Sequence, residues 1–429
     1  MDKIARTIIS RALSLIIIML AADALAAMPE IHGFVEADYG IKLSDDTTKR
    51  DNFNFLEQRL QLKVAHFFEG KNYLSDKNGA FNFKGDFTVD EYYSGKTDFE
   101  LRELSLSLTP FDFMDLNLGR QILTWGTGDY IFLNDLFPKD YISFFIGRDD
   151  EYLKKPSDAV RALLYPDWFN IDLAFVPFFE PNITPKGDRL SFFDSFQGGI
   201  AGRDSDRDIL EPSRRVKNFL YAARAYRSFG SYEGALYFYR GFDPSPRSFK
   251  NELARQIYYE RLDAYGASAR GPVFKGIGNA EISYYYSPED SEGNIRTIQN
   301  SMMKYLLGYD KDLGNNLSVG FQYYLEQTLD YSEYQSALLA NDFRWDEFRH
   351  VITNRVTKYF INQTVKLSCF TFFSPSDLDL YTRPSVTWNI TDSWTLTAGA
   401  NLPWGTDDIT EFGHMERNKN IFARVRYSF

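Results

Sequence analysis

The chain has 429 residues, 48 of them Lys or Arg and 59 Asp or Glu, for a formal net charge of −11; an acidic balance with pI near 5.1 excludes nucleic acid as a partner, because phosphates would demand a basic face. Aromatic residues make up 17%, with 28 Tyr and 38 Phe, while mean hydropathy is only −0.37, and a soluble core holding so many rings would need the long continuous apolar runs that this chain lacks. A single cysteine, Cys369, excludes an intrachain disulfide framework.

At the start, Lys3, Arg6 and Arg11 precede an apolar run from Ala12 to Ala22 and the small residues Ala24-Leu25-Ala26-Ala27. The run is too short for a membrane-spanning helix, and Ala24 and Ala26 put small side chains where a signal peptidase reads. Residues 1–26 are therefore predicted to be a secretory signal peptide, and 27–429 a single domain.

From Ile31 onward the apolar period is two. Phe81, Phe83, Phe87 and Val89 alternate with Asn82, Lys84, Asp86, Thr88 and Asp90, and Leu104, Leu106 and Leu108 with Glu103, Ser105 and Ser107. The same holds for Ile171, Leu173 and Phe175, for Leu317, Val319, Phe321 and Tyr323, for Val365, Leu367 and Cys369, and for Trp394, Leu396, Ala398 and Ala400. The terminal stretch sets Ile421, Ala423, Val425, Tyr427 and Phe429 against Phe422, Arg424, Arg426 and Ser428. A strand with one apolar and one charged face, ending on an aromatic, is the closing strand of a membrane β-barrel.

Short connections with turn residues occur at Thr109-Pro110-Phe111-Asp112, Tyr165-Pro166-Asp167-Trp168, Phe229-Gly230-Ser231, Asp312-Leu313-Gly314-Asn315, Ile361-Asn362-Gln363 and Thr391-Asp392-Ser393. Long polar connections run over 126–158, 179–215, 243–254, 288–298, 329–349 and 403–418. This asymmetry predicts short periplasmic turns, long extracellular loops and both termini in the periplasm. The expected fold is all-β: a transmembrane antiparallel up-and-down barrel of about 18 strands, with 16 the competing count, too wide for its own side chains to fill.

If the apolar phase faces lipid, the other lines the lumen. The expected pore-lining groups are Arg59, Lys63, Lys84, Glu103, Arg120, Arg161, Arg224, Arg261, Arg355, Lys366, Arg383, Arg424 and Arg426. Among acids the same phase gives Glu36, Asp38, Glu57, Asp86, Asp90, Glu103, Asp172, Asp263, Glu281 and Glu326. Basic rings favour anionic solutes, whereas Arg–carboxylate pairs across strands brace the wall. Arg120 follows Leu116 and Leu118 in the lipid phase, and a bulge at Gly119 is expected to return it to the lumen. The segment 126–158 is rich in Phe, Leu and Ile, which need a surface to pack on, so it is expected to fold inward as a constriction loop carrying Lys139, Arg148, Asp149, Asp150, Lys154 and Lys155.

Gly119-Arg120-Gln121 with Trp125-Gly126, the strand ending Arg102-Glu103, the hairpin Phe372-Phe373-Ser374-Pro375-Ser376-Asp377 and the terminal Arg426-Tyr427-Ser428-Phe429 resemble the outer-membrane porin-like families that include the alginate-export porin. The resemblance implies an 18-strand export or diffusion pore in a Gram-negative outer membrane, for an elongated, anionic solute, with Arg120 in the lumen. The expected partners are the outer-membrane bilayer, the polar solute and, through the strand ending at Phe429, the barrel-assembly machinery. A second reading takes the inward phases of Phe370, Phe372 and Phe422 as signs of a plugged barrel that docks a periplasmic lipid or hydrophobe transport assembly. An enzyme is not expected: His32, His66, His350 and His414 are scattered, and no nucleophile elbow, His-Glu-x-x-His or phosphate loop occurs. No cofactor or metal site is expected either.

Overall fold

A computed structural model describes residues 29–44, 53–68, 79–93, 95–340 and 342–429. The expected signal peptide, 1–26, lies outside the described residues.

Strict alternation gives strands, and the ring they form closes. The strands are β1 (Glu30–Lys42), β2 (Phe53–Phe68), β3 (Gly79–Asp90), β4 (Lys96–Phe111), β5 (Met114–Gln121), β6 (Ser157–Leu164), β7 (Asn170–Val176), β8 (Leu220–Phe229) and β9 (Tyr232–Phe242). They continue as β10 (Arg261–Val273), β11 (Gly276–Tyr286), β12 (Met302–Gly314), β13 (Leu317–Thr328), β14 (Phe348–Phe360), β15 (Val365–Ser374), β16 (Asp379–Asn389), β17 (Trp394–Gly405) and β18 (Asn420–Ser428). All belong to one 18-stranded antiparallel sheet in which each strand pairs with its chain neighbours. β18 returns to β1, from Phe34 opposite Ser428 to Lys42 opposite Asn420. Gly33 and Phe429 then exchange two backbone hydrogen bonds of 3.0 Å. The count is 18, not 16. No edge strand is left, which is what a strand ladder in hydrocarbon requires.

The period of two separates an oily outside from a polar inside. Val35, Phe87, Leu173, Phe321, Leu367, Trp394, Val425 and Tyr427 are exposed, while Glu36, Asp38, Glu57, Arg59, Asp86, Asp172 and Arg424 on the opposite phase are buried. Among the described residues no helix is long and apolar enough to cross a membrane.

At the expected periplasmic end, tight connections occur at 112–113, 230–231, 274–275 and 315–316. The hairpin at Phe274 and Lys275 carried no turn signal, because both residues adopt positive φ, 45° and 63°, without being Gly or Asn. The opposite end carries the long loops. Two of them form small sheets of their own, Phe192–Asp194 with Gly199–Ala201, and Asp208–Leu210 with Ser248–Asn251 and Gln256–Tyr258. The longest inward excursion, 122–156, joins β5 to β6 and holds the short helix α1 (Tyr141–Ile146). Asp140 caps α1 by accepting from the Ser143 amide at 3.0 Å, and Gly147 ends it at φ 91°, where a Cβ would stand 2.3 Å from the Phe422 ring.

Candidate functional site

The loop 122–156 lies inside the barrel and touches the wall on most of its circumference. Its apolar side chains find apolar partners there. Leu123, Leu136 and Phe137 pack on Ala159, Ala174, Ala222, Tyr239 and Ala264. Leu133, Phe144 and Leu153 pack on Leu306, Tyr324, Val351, Phe370, Phe372 and Tyr381. Ile146 meets Phe55, with Phe422 packed against the same group. Phe370, Phe372 and Phe422 thus point inward, as their phase requires, and the loop covers them.

Most of the loop's charges meet an opposite charge. Arg148 pairs with Glu57; Asp149 lies 3.1 Å from Arg426 and 3.4 Å from Arg424; Asp150 is 3.1 Å from Arg383; Glu151 is 2.7 Å from Lys84. Asp129 completes a chain to Arg355, at 3.2 Å, and on to Asp310, 2.6 Å from the same guanidinium. Burial pushes the Glu151 carboxyl up, but the hydrogen bond and charge of Lys84 and the charge of Arg102 outweigh it and hold the group below the usual carboxylate range. Lys139 does not face water: its ammonium is buried against Asp135 at 2.9 Å and the Phe137 carbonyl at 2.7 Å, and burial lowers its pKa. Lys154 donates to Thr124 at 2.7 Å, and Lys155 reaches Glu180 of the next outer loop at 3.2 Å.

On the wall, Arg59 joins Glu57 and Asp86, Arg161 joins Asp172 at 2.6 Å, Arg224 joins Glu233 at 2.6 Å, and Arg426 joins Glu36. Glu103 accepts from Ser105 at 3.1 Å. Lys63 and Lys366 fall on the inward phase and are exposed, and neither forms an ion pair among the described residues.

Two of the expected pore-lining groups face the other way. Pairing from Leu104–Arg120 to Leu108–Leu116 runs without a register shift, so the expected bulge at Gly119 is absent and Arg120 keeps the outward phase of Leu116 and Leu118. Gly119 is needed for another reason: its φ is 114°, and a Cβ would stand 2.3 Å from the Leu104 carbonyl oxygen. Arg120 bonds the Leu101 carbonyl and Asp158, at 2.6 and 3.0 Å. Arg261 is outward as well, together with Asp263, because Leu262 and Ala264 turn in to meet the loop. Alternation there sets charged Arg261 and Asp263 against apolar Leu262 and Ala264, and only the apolar loop inside the barrel reverses the phase by claiming the apolar pair.

The bulge occurs instead in β4. Lys84 faces Glu103 but Gly85 faces Leu101, leaving Arg102 as the extra residue. Simple alternation hides Arg102 in the lipid phase, yet it is only 2% exposed, with its guanidinium 4.6 Å above the Tyr152 ring inside the barrel.

No family model matches the chain, and no curated protein does. Among solved structures it is similar to Acinetobacter baumannii OccAB4, with a TM-score of 0.56 and 10% identity, over 95% of this chain and 99% of that one. The fold is a porin barrel. Salmonella typhi OmpF in complex with daunomycin (TM-score 0.47, 7% identity, 94% and 97% of the two chains) and a Rhodopseudomonas blastica porin mutant (0.42, 9%, 94% and 100%) lie further away in shape. The alginate-export relation rests on the short motifs alone.

Proposed function

We propose that the protein is a porin-like channel of a Gram-negative outer membrane, passing polar solutes by diffusion or export through the lumen that the loop 122–156 narrows. The observation that carries this reading is the closed ring of 18 strands with an apolar outside, a charged inside and a long loop folded into it. Residues 1–26 act as the export signal, and the barrel-assembly machinery receives the chain through the strand ending at Phe429. The inward Arg and Lys groups, with Lys63, Arg270 and Lys366 among the exposed members, give a weak preference for anionic solutes; the paired acids keep it weak. Purified protein in planar lipid bilayers is expected to give discrete conductance steps with modest anion preference. A barrel that inserts and stays silent at every voltage would refute the channel.

One observation favours a second reading. The loop's apolar contacts with β6–β16 resemble the packing of a plug, the arrangement expected of a docking platform for a periplasmic lipid or hydrophobe transport assembly. The same bilayer measurement separates the two, since a sealed barrel does not conduct.

A further inference from the structure

We propose that two wall residues, Glu281 and Arg102, pin the backbone of the constriction loop at its two ends and thereby set the aperture; the word aperture rests on the channel reading above. Glu281 stands on β11 and is 4% exposed. Its carboxylate accepts hydrogen bonds from the Thr127 amide, from the Thr127 hydroxyl at 2.8 Å, from the Gly128 amide at 2.9 Å and from the Asn134 side-chain amide at 2.7 Å. No Lys or Arg pairs with it among the described residues. A buried carboxylate is tolerated only when its lone pairs are filled, and here neutral donors of one loop limb fill them. Remove the carboxylate, and two backbone N–H groups lose their acceptor inside the barrel.

Arg102 treats the other limb in the opposite sense. From the β4 bulge its guanidinium donates to the carbonyls of Glu151 at 3.0 Å and Lys154 at 2.9 Å. One pin therefore accepts from the limb that leaves β5, and the other donates to the limb that enters β6. Both are buried and address main-chain atoms. The ion pairs of Asp129 and Asp150 differ: they join side chains with at least one partly exposed partner, so salt screens them. The two ends of the loop are then held by the pins, which the ion pairs of Asp129 and Asp150 only trim, while buried bonds such as Arg424 to the Gly147 carbonyl at 2.8 Å and Tyr285 to the Leu133 carbonyl at 2.6 Å hold its middle.

The test uses the whole folded barrel, its folding verified by heat-shifted gel migration, with variants E281A, E281Q, R102M and, as the ionic control, D150N. Amide hydrogen exchange is followed at Thr127–Gly128 and Glu151–Lys154, and single-channel conductance is recorded, in ~0.1 M and ~1 M KCl. E281A is expected to speed exchange at Thr127 and Gly128 by at least about tenfold in both salts and to change conductance by about twofold or more. E281Q falls between, because its one carbonyl oxygen still serves the amides while its NH2 faces that of Asn134. R102M loosens Glu151–Lys154, and D150N acts weakly and only at low salt. The proposal is overturned if E281A and E281Q both keep the exchange and conductance of the unaltered protein, or if D150N loosens the loop as much as they do. Should the unaltered protein conduct nothing while E281A still frees the two amides, the pins stand and the channel reading falls.

Discussion

At the scale of single residues, most of the buried lumenal charges are answered by an opposite charge, while Glu281 is held by neutral donors and Lys63 and Lys366 stand exposed. Arg59 illustrates the arithmetic: it is 4% exposed and sits between Glu57 and Asp86, so its desolvation is offset only because both carboxylates bond it. Glu260, beside the outer loops, lacks such an answer. Burial, and next to it the charge of Asp243, push its carboxyl up to about 8, against the opposing hydrogen bonds of Ser248 and the Gln299 amide and the charge of Arg247. The ordinary value is 4.5, so between 4.5 and about 8 the folded chain holds a proton that the unfolded chain has released. The stability that this proton supports is present at low pH and is lost as pH rises through that window. Opening over 248–299, read as amide exchange corrected for its intrinsic base catalysis, is expected to become easier between about pH 4.5 and about pH 8, and Glu260→Gln to remove the dependence. An unchanged pH profile in that variant would assign the effect elsewhere.

At the scale of elements, the tight turns carry the strain. Asn315 and Asn316 take positive φ in a two-residue hairpin as Asn readily does, but Ile361 is β-branched and sits at φ 48° while 71% exposed. Ile361→Asn is expected to stabilise the barrel by about 1 kcal/mol in urea unfolding from lipid vesicles. A loss of similar size would show instead that lipid contact holds the isoleucine in place. In β4 the single extra residue at Arg102 has the larger consequence, because it turns a lipid-phase arginine into an anchor for the loop.

At the scale of the molecule, ion preference should come from inward cations that no acid has matched. Paired charges cancel beyond a Debye length of about 10 Å at 0.1 M salt, whereas Lys63 and Lys366 stand exposed on the inward phase. Lys366→Glu is expected to move reversal potentials toward cations, and Arg120→Glu to leave them unchanged because Arg120 faces outward beside Asp158. Equal shifts in both variants would mean that the outer rim, not the wall, selects.

The alternation of Ile421, Ala423, Val425 and Tyr427 with Arg424 and Arg426, repeated along the chain, was enough to predict a closed antiparallel barrel, because a period of two binds each side chain to one face regardless of what lies beyond the strand. The inward folding of 126–158 was legible for a similar reason: its Phe, Leu and Ile residues need partners. Only the tertiary structure decided which wall those residues meet, and so why Arg261 faces out, why Arg102 faces in, and why Glu281 is held by loop amides. Those outcomes depend on where a bulge falls and on contacts between segments more than a hundred residues apart, as from Thr127 to Glu281, and local spacing carries no record of either.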